Sequence, residues 1–373
     1  MSKNLMKLSY LDAFQINLVL MVLIAIGYLL GKLRYFSVID ISSIRRTVYL
    51  ISIPAMLFKE IATHKLEAKV WYPLLNSLLS EISIHFLLLI VCYAFPFKDK
   101  FKQFLDGIFS FAYVNFVYFA CPMVRILWGA EYQYIPVIAG IVHFIIEPPI
   151  HSLLVISNHH HEQHHQTTSS DDDQHDNQQS DDGMEMDGVE HSEGIHEDHD
   201  EEEEKRRPTI QTQTIPLWKQ IIFVVVTPML VCTILGIVWS ATGLVVPSFI
   251  LTFTTFLENS VMATGLFTIG VFMSDHPFFG CNWLEVGSYL IIHFIFMPLI
   301  SAFWSWLIGF DSVTARICCM IHALPTGLTG YVMAINSGHG LQASSFTFFW
   351  SNILCLPVFL IWITVFNELH LLA

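Results

Sequence analysis

From Gln220 to Asn367 the chain carries formal charge at only Glu258, Asp275, Glu285, Asp311 and Arg316. A run of that length cannot fold in water: no soluble core hides so much apolar surface, whereas a bilayer dissolves it. Hydrophobic residues are 54% of the 373 and mean hydropathy is +0.55, so the excess is general and not confined to one stretch. The sequence therefore predicts an all-α integral membrane protein that crosses lipid many times. The net charge of −14 does not alter this, because residues 157–207 hold 18 of the 32 acids against three bases. The remainder is close to neutral, and no nucleic-acid partner is expected.

A crossing needs about 20 mostly apolar residues. On that ruler ten transmembrane helices are expected, near 13–31, 46–62, 71–95, 104–127, 134–156, 217–240, 247–273, 284–308, 313–335 and 343–366. The first follows Lys3 and Lys7, but Phe14 to Gly31 is long enough to span and lacks a small-residue cleavage site, so it reads as a helix and not as a signal peptide. Five crossings per half is an odd number. If the segment between the halves stays on one side, the second half inserts upside down relative to the first. The expected organisation is a five-helix repeat over 1–156, an acidic His-rich loop over 157–216, and a second, inverted five-helix repeat over 217–373.

Orientation follows the Lys/Arg asymmetry: 11 of the 18 basic residues lie in the loops after helices 1, 3 and 5, which places that loop in the cytosol and both termini outside. The stretch from Asn158 to Pro208 has almost nothing apolar to bury, so it is expected to be disordered. It contains nine of the 18 histidines, a composition that can bind zinc or copper weakly, though a solvated linker is the simpler reading. The seven cysteines have no CxxC spacing and read as small apolar residues, not as disulfides or ligands.

Two of the expected helices are interrupted at corresponding places. Asn115 lies seven residues ahead of Pro122 in helix 4, and Leu324-Pro325-Thr326-Gly327 interrupts helix 9. Proline deletes a backbone donor and clashes with the preceding turn, so free peptide groups are expected at bilayer depth, where they survive only beside protein or a water-filled cavity. Paired interruptions of this kind point to the binding site of a secondary transporter. The candidate substrate-binding residues are Asn115, Tyr118, Cys121, Pro122, Leu324, Pro325, Thr326 and Gly327, with Thr329, Tyr331 and Asn336 as further neutral donors. Half-helix amino termini carry partial positive charge and favour an anion there. Pro54 and Pro148-Pro149 read as packing kinks.

Charges at bilayer depth cost about 2.5–3.5 kcal/mol on insertion scales, so each asks for a role. Glu81 and His85 share one face of helix 3; His143, Glu147 and His151 share one face of helix 5. Glu258 falls in helix 7, His293 in helix 8, and His322 one turn before Pro325. Glu81 and Glu147 are candidates for proton coupling; the competing reading is that these groups pair with one another for structure. Arg125 and Arg316 flank the broken helices, where a structural role outweighs neutralisation of an anion.

The stretches Gly27-Tyr28-Leu29-Leu30-Gly31, Ile53-Pro54-Ala55-Met56-Leu57-Phe58, Asn115 with Pro122, Leu235-Gly236-Ile237-Val238-Trp239-Ser240, Phe267 to Met273, and Ala323-Leu324-Pro325-Thr326-Gly327 together resemble the auxin efflux carrier family, which includes the plant PIN and PIN-like carriers. The resemblance implies an inverted five-plus-five repeat similar to the NhaA and bile-acid symporter architecture, with helices 4 and 9 crossing at their prolines. It also implies an elevator-type carrier of small organic anions. Three positions depart from the plant pattern: Asn76 stands where those carriers place an acid in helix 3, Val114 replaces a proline, and Thr326 replaces a glutamine.

The leading expectation is thus a secondary transporter that exports auxin-like or similar weak acids, in the plasma membrane or the endoplasmic reticulum, with a homodimer as a candidate assembly and no cofactor. The alternative is a divalent-metal carrier using the His-rich loop. Against it, no span carries an HxxxH or HxxxD pair, and the run from His143 through Glu147 to His151 is the nearest approach, so no metal site is assigned. An intramembrane enzyme is disfavoured because GxSxG, HExxH and paired aspartates are absent from the spans.

Overall fold

The computed structural model describes residues 8–65, 67–156, 227–277, 279–368 and 372. The loop expected to be disordered and the start of helix 6 lie outside them. Contacts divide the chain into one unit of residues 1–152 and 224–373 and a second of 153–223, of which only 153–156 are described, as the end of a helix. Among the described residues there are helices and no strand.

In chain order the helices are α1 (Tyr10–Lys32), α2 (Val38–Thr47), α3 (Ile53–Ala62), α4 (Tyr72–Ala94), α5 (Lys100–Phe111), α6 (Cys121–Leu127), α7 (Tyr134–Ile141), α8 (147–156), α9 (Pro228–Thr242), α10 (Ser248–Ser274), α11 (Trp283–Ile291), α12 (Met297–Ile308), α13 (Ser312–His322), α14 (Leu328–Ser337) and α15 (Leu341–Glu368). Among the described residues six stretches are long and apolar enough to cross a membrane: Tyr10–Lys32, Lys69–Ala94, Ala130–Ile156, Ser248–Ser274, Trp283–Ile308 and Leu341–Glu368. Phe116–Leu127 and Pro228–Thr242 are shorter apolar helices. Large apolar side chains such as Phe86, Phe249, Phe256, Trp306 and Ile361 are exposed along these stretches. In water such a surface would aggregate; in lipid it is the natural exterior.

Four five-residue π turns each end two residues before a proline: Val48–Ser52 before Pro54, Phe116–Ala120 before Pro122, Val142–Ile146 before Pro148, and Ile292–Phe296 before Pro298. The proline ring collides with the carbonyl four residues earlier, and that residue is the centre of each widened turn. One freed carbonyl finds a new donor, since the Phe294 oxygen accepts from Trp362 Nε1 at 3.0 Å. Pro54 and Pro148 thus sit at local expansions of otherwise continuous helices, as packing kinks require.

Small residues set the closest helix pair. Gly27 and Gly31 of α1 lie against Gly270 and Ser274 of α10, where a methyl group on Gly27 would strike the Phe267 carbonyl and one on Gly270 the Ile24 carbonyl. With no hydrophobic gain between apolar helices in lipid, such close backbone approach is what holds them together. All seven cysteines are free; five are buried, and Cys232 and Cys281 are partly exposed.

Candidate substrate site at the helix crossover

The fourth and ninth expected helices are each broken in two. α5 ends at Phe111, and helical structure resumes at Phe116; α13 ends at His322, and α14 begins at Leu328. The broken segments meet as an isolated antiparallel bridge between Val114 and Thr326. Asn115 N–H donates to the Pro325 carbonyl at 3.0 Å and Gly327 N–H to the Tyr113 carbonyl at 2.6 Å. The peptide groups freed by the breaks therefore satisfy one another, which corrects the expectation that they stand bare. Both carbonyl ends face one histidine: His293 Nδ1 lies 2.7 Å from the Phe111 oxygen and Nε2 2.5 Å from the Leu324 oxygen, and the neutral ring donates to one of them. On the other side Thr326 N–H donates to Ser351 Oγ at 3.1 Å.

Asn115, Leu324, Pro325, Thr326 and Gly327 thus come together in one hydrogen-bonded crossing. Cys121 and Pro122 do not. They lie six and seven residues past Asn115, inside the helix that resumes at Phe116, where Pro122 forces the widened turn Phe116–Ala120. In the first half the break is marked by Asn115, which caps the following turn by accepting from Tyr118 N–H at 3.1 Å; its Nδ2 is buried with no hydrogen-bond partner among the described residues. Tyr118 is half-buried, with its ring over Gly265. Tyr331 bonds His276 Nε2 through its hydroxyl at 3.0 Å, Thr329 is half-buried and Asn336 is exposed. Bulky buried side chains, Phe109, Phe111, Tyr113, Phe116 and Phe119, pack the first broken helix on either side of the break.

One residue that sequence reasoning counted only for orientation belongs here. Arg45, on α2, lies within electrostatic reach of Tyr118 and Tyr331, and its Nε has no hydrogen-bond partner among the described residues. No local pattern announces this, because Tyr118 and Tyr331 are far from Arg45 along the sequence. The two flanking arginines play other parts: Arg125 is exposed, whereas Arg316 is buried with its guanidinium 5.9 Å from the Phe366 ring centre.

The acidic candidates lie beside the crossing. Glu81 of α4 approaches His143 Nε2 at 3.4 Å, and Glu147 of α8 approaches His143 Nδ1 at 2.9 Å. His85 Nδ1 lies 2.7 Å from the Glu81 carbonyl, His85 Nε2 2.9 Å from His151 Nε2, and His151 Nδ1 2.6 Å from the Tyr113 hydroxyl. Tyr113 is the residue whose carbonyl takes the Gly327 amide, so this network is joined to the crossing by one side chain. His322 bonds only its own helix among the described residues, its Nδ1 lying 2.8 Å from the Cys318 carbonyl.

An all-helical chain with six apolar spans, a lipid-compatible exterior and two broken helices bridged at their breaks is a multi-pass membrane protein built on the plan of a carrier. The chain belongs to the membrane transport protein family, that of the auxin efflux and PIN-like carriers, whose profile matches residues 14–363. Its place in a transporter family bears out the resemblance drawn from the sequence motifs. Among curated proteins no match is found.

Proposed function

We propose that this transporter moves small organic anions, auxin-like or other weak acids, by an elevator motion of the crossing, with ten crossings in two inverted five-helix repeats. The observation that carries the reading is the polarity of the crossing. Its carbonyl ends at Phe111 and Leu324 share His293, whose neutral ring donates to one of them. The amino-terminal ends at Phe116 and Leu328 keep their partial positive charge, and α14 has no side-chain cap. Asn115 Nδ2 is an unused donor at that end, and Arg45 supplies the nearby fixed charge. Export is the direction implied by the efflux carriers of the family.

Tracer flux of a panel of aromatic and aliphatic weak acids into proteoliposomes tests the reading. At least one acid should be carried, with flux lost in Asn115→Ala and its apparent affinity weakened in Arg45→Gln. Flux no greater than that of empty liposomes for every acid would reject it. The divalent-metal reading finds support in Glu81, His143 and Glu147.

A further inference from the structure

Two carboxylates and an imidazole are buried together, with a second histidine, His85, 3.8 Å from Glu81 and no lysine or arginine beside either acid among the described residues. Glu81 is 3% exposed, His143 1% and Glu147 4%. One ligand atom from each lies within 4.8 Å of the others. Both carboxylate oxygens of Glu81 and of Glu147 and both ring nitrogens of His143 have no hydrogen bond among the described residues, although the closest approach is 2.9 Å. The imidazole is near the acids but not in line to donate to them. No lysine or arginine pairs with either acid among the described residues. Uncompensated carboxylates in a low-dielectric interior are expensive, and they persist where paired or coordinating a metal.

We propose that Glu81, His143 and Glu147 bind a divalent cation of the zinc or manganese class inside the membrane-embedded core. The donor set of two carboxylate oxygens and one imidazole nitrogen suits such ions, and water or a fourth donor would complete the shell. With metal–ligand bonds of about 2.0–2.2 Å the three donors must close to roughly 3.3 Å from one another, a shift that rotation of the glutamate side chains supplies. His143 lies in the π turn that Pro148 forces, and such turns frequently hold functional side chains.

The surroundings hold the ligand-bearing segments in place. His85 Nδ1 faces a carbonyl and must donate, so its Nε2 accepts; His151 Nε2 then donates, and His151 Nδ1 accepts from the Tyr113 hydroxyl. This single self-consistent chain runs from the backbone of Glu81 to the crossing, as second-shell bonds do around metal ligands. The inference does not rest on the anion reading, and its test needs no substrate.

The test is equilibrium dialysis of the purified full-length protein against Zn²⁺, with metal counted by mass spectrometry, after His159, His160, His161, His164 and His165 are replaced by serine to lower the background. One tightly held equivalent should remain in that background and be lost in each of Glu81→Gln, His143→Gln and Glu147→Gln. Soaking crystals of the background protein with Co²⁺ should give an anomalous peak between the three side chains, a readout that needs no further substitution. The proposal is overturned if that peak is absent, if the background protein retains no equivalent, or if Glu81→Gln and His143→Gln bind as much as their parent. The last outcome would mean that protons alone neutralise the two acids, the state expected if they serve proton coupling.

Discussion

Two buried acidic centres in this transporter are built on opposite plans. Around Glu258 of α10, the ammonium of Lys59 and the amide of Gln133 both make short contacts to the carboxylate, and Lys59 also lies 3.4 Å from Glu60. Around Glu81 and Glu147 there are histidines only, His143 between them and poorly aligned and His85 3.8 Å from Glu81, with no lysine or arginine among the described residues. The first centre sets one ammonium between two carboxylates and ties α3 to α10 and to the segment before α7. The second has histidines and no lysine or arginine beside its two carboxylates among the described residues, and the proposed cation would complete it. A buried acid with its own lysine is architecture; one without is a place where something binds.

The same contrast separates two asparagines. Asn76 Nδ2 donates to the Ser301 carbonyl at 2.8 Å and to Ser305 Oγ at 3.0 Å, while its Oδ1 accepts from Ser301 Oγ at 2.7 Å. At the position where the plant carriers have an acid, this chain has a structural clasp between α4 and α12. Asn115 by contrast keeps Nδ2 unused at the crossing.

The largest effect is expected at the completed centre. Lys59→Met leaves Glu258 and Glu60 without their cation and should cost about 3–5 kcal/mol, most of it recovered in the Lys59→Met, Glu258→Gln double variant. Denaturant unfolding in detergent measures both, and a loss under about 1 kcal/mol in the single variant would break the comparison. Asn76→Ala should come next, at about 1–3 kcal/mol, because it strands buried serine partners. For Asn115→Ala a cap loss of about 1 kcal/mol is expected, small beside its effect on flux. Equal stability losses in the two asparagine variants would erase that distinction.

At the incomplete centre the sign should reverse. With metal removed by a chelator, Glu81→Gln should unfold no more easily than its parent, because it deletes an uncompensated buried charge. Added Zn²⁺ should stabilise the parent and not the variant. The smallest effect belongs to an exposed acid outside the spans. Asp40 accepts from the side chain and then the backbone of Ser37, which holds its carboxyl below the usual carboxylate range. Its contribution is therefore present above the ordinary carboxylate value and lost as pH falls through the lowered one. Hydrogen exchange in the first turn of α2 should speed up over that acidic window, and Asp40→Asn should abolish the change.

Much of this was written locally. Apolar runs marked the long spans, and four-residue spacings placed Glu81 with His85 and His143 with Glu147 and His151 on common faces. Proline was a less faithful guide. Pro325 lies in the break of its helix, but Pro122 lies seven residues past Asn115, inside the helix that resumes at Phe116, where its ring widens a turn without opening a gap. Asn115 was the better sign in the first half, as a side chain able to cap a new start.

What the sequence by itself determined was the solvent of this protein and the faces of its helices, since both follow from hydropathy and from a period of 3.6 residues that any segment carries alone. Only the tertiary structure decided that the freed peptide groups pair across the crossing, that Arg45 comes within reach of Tyr118 and Tyr331, and that Lys59 meets Glu258 while Glu81 meets no lysine among the described residues. In an apolar interior a charge is tolerated or costly according to the partner a few ångströms away, and that partner comes from a distant part of the chain.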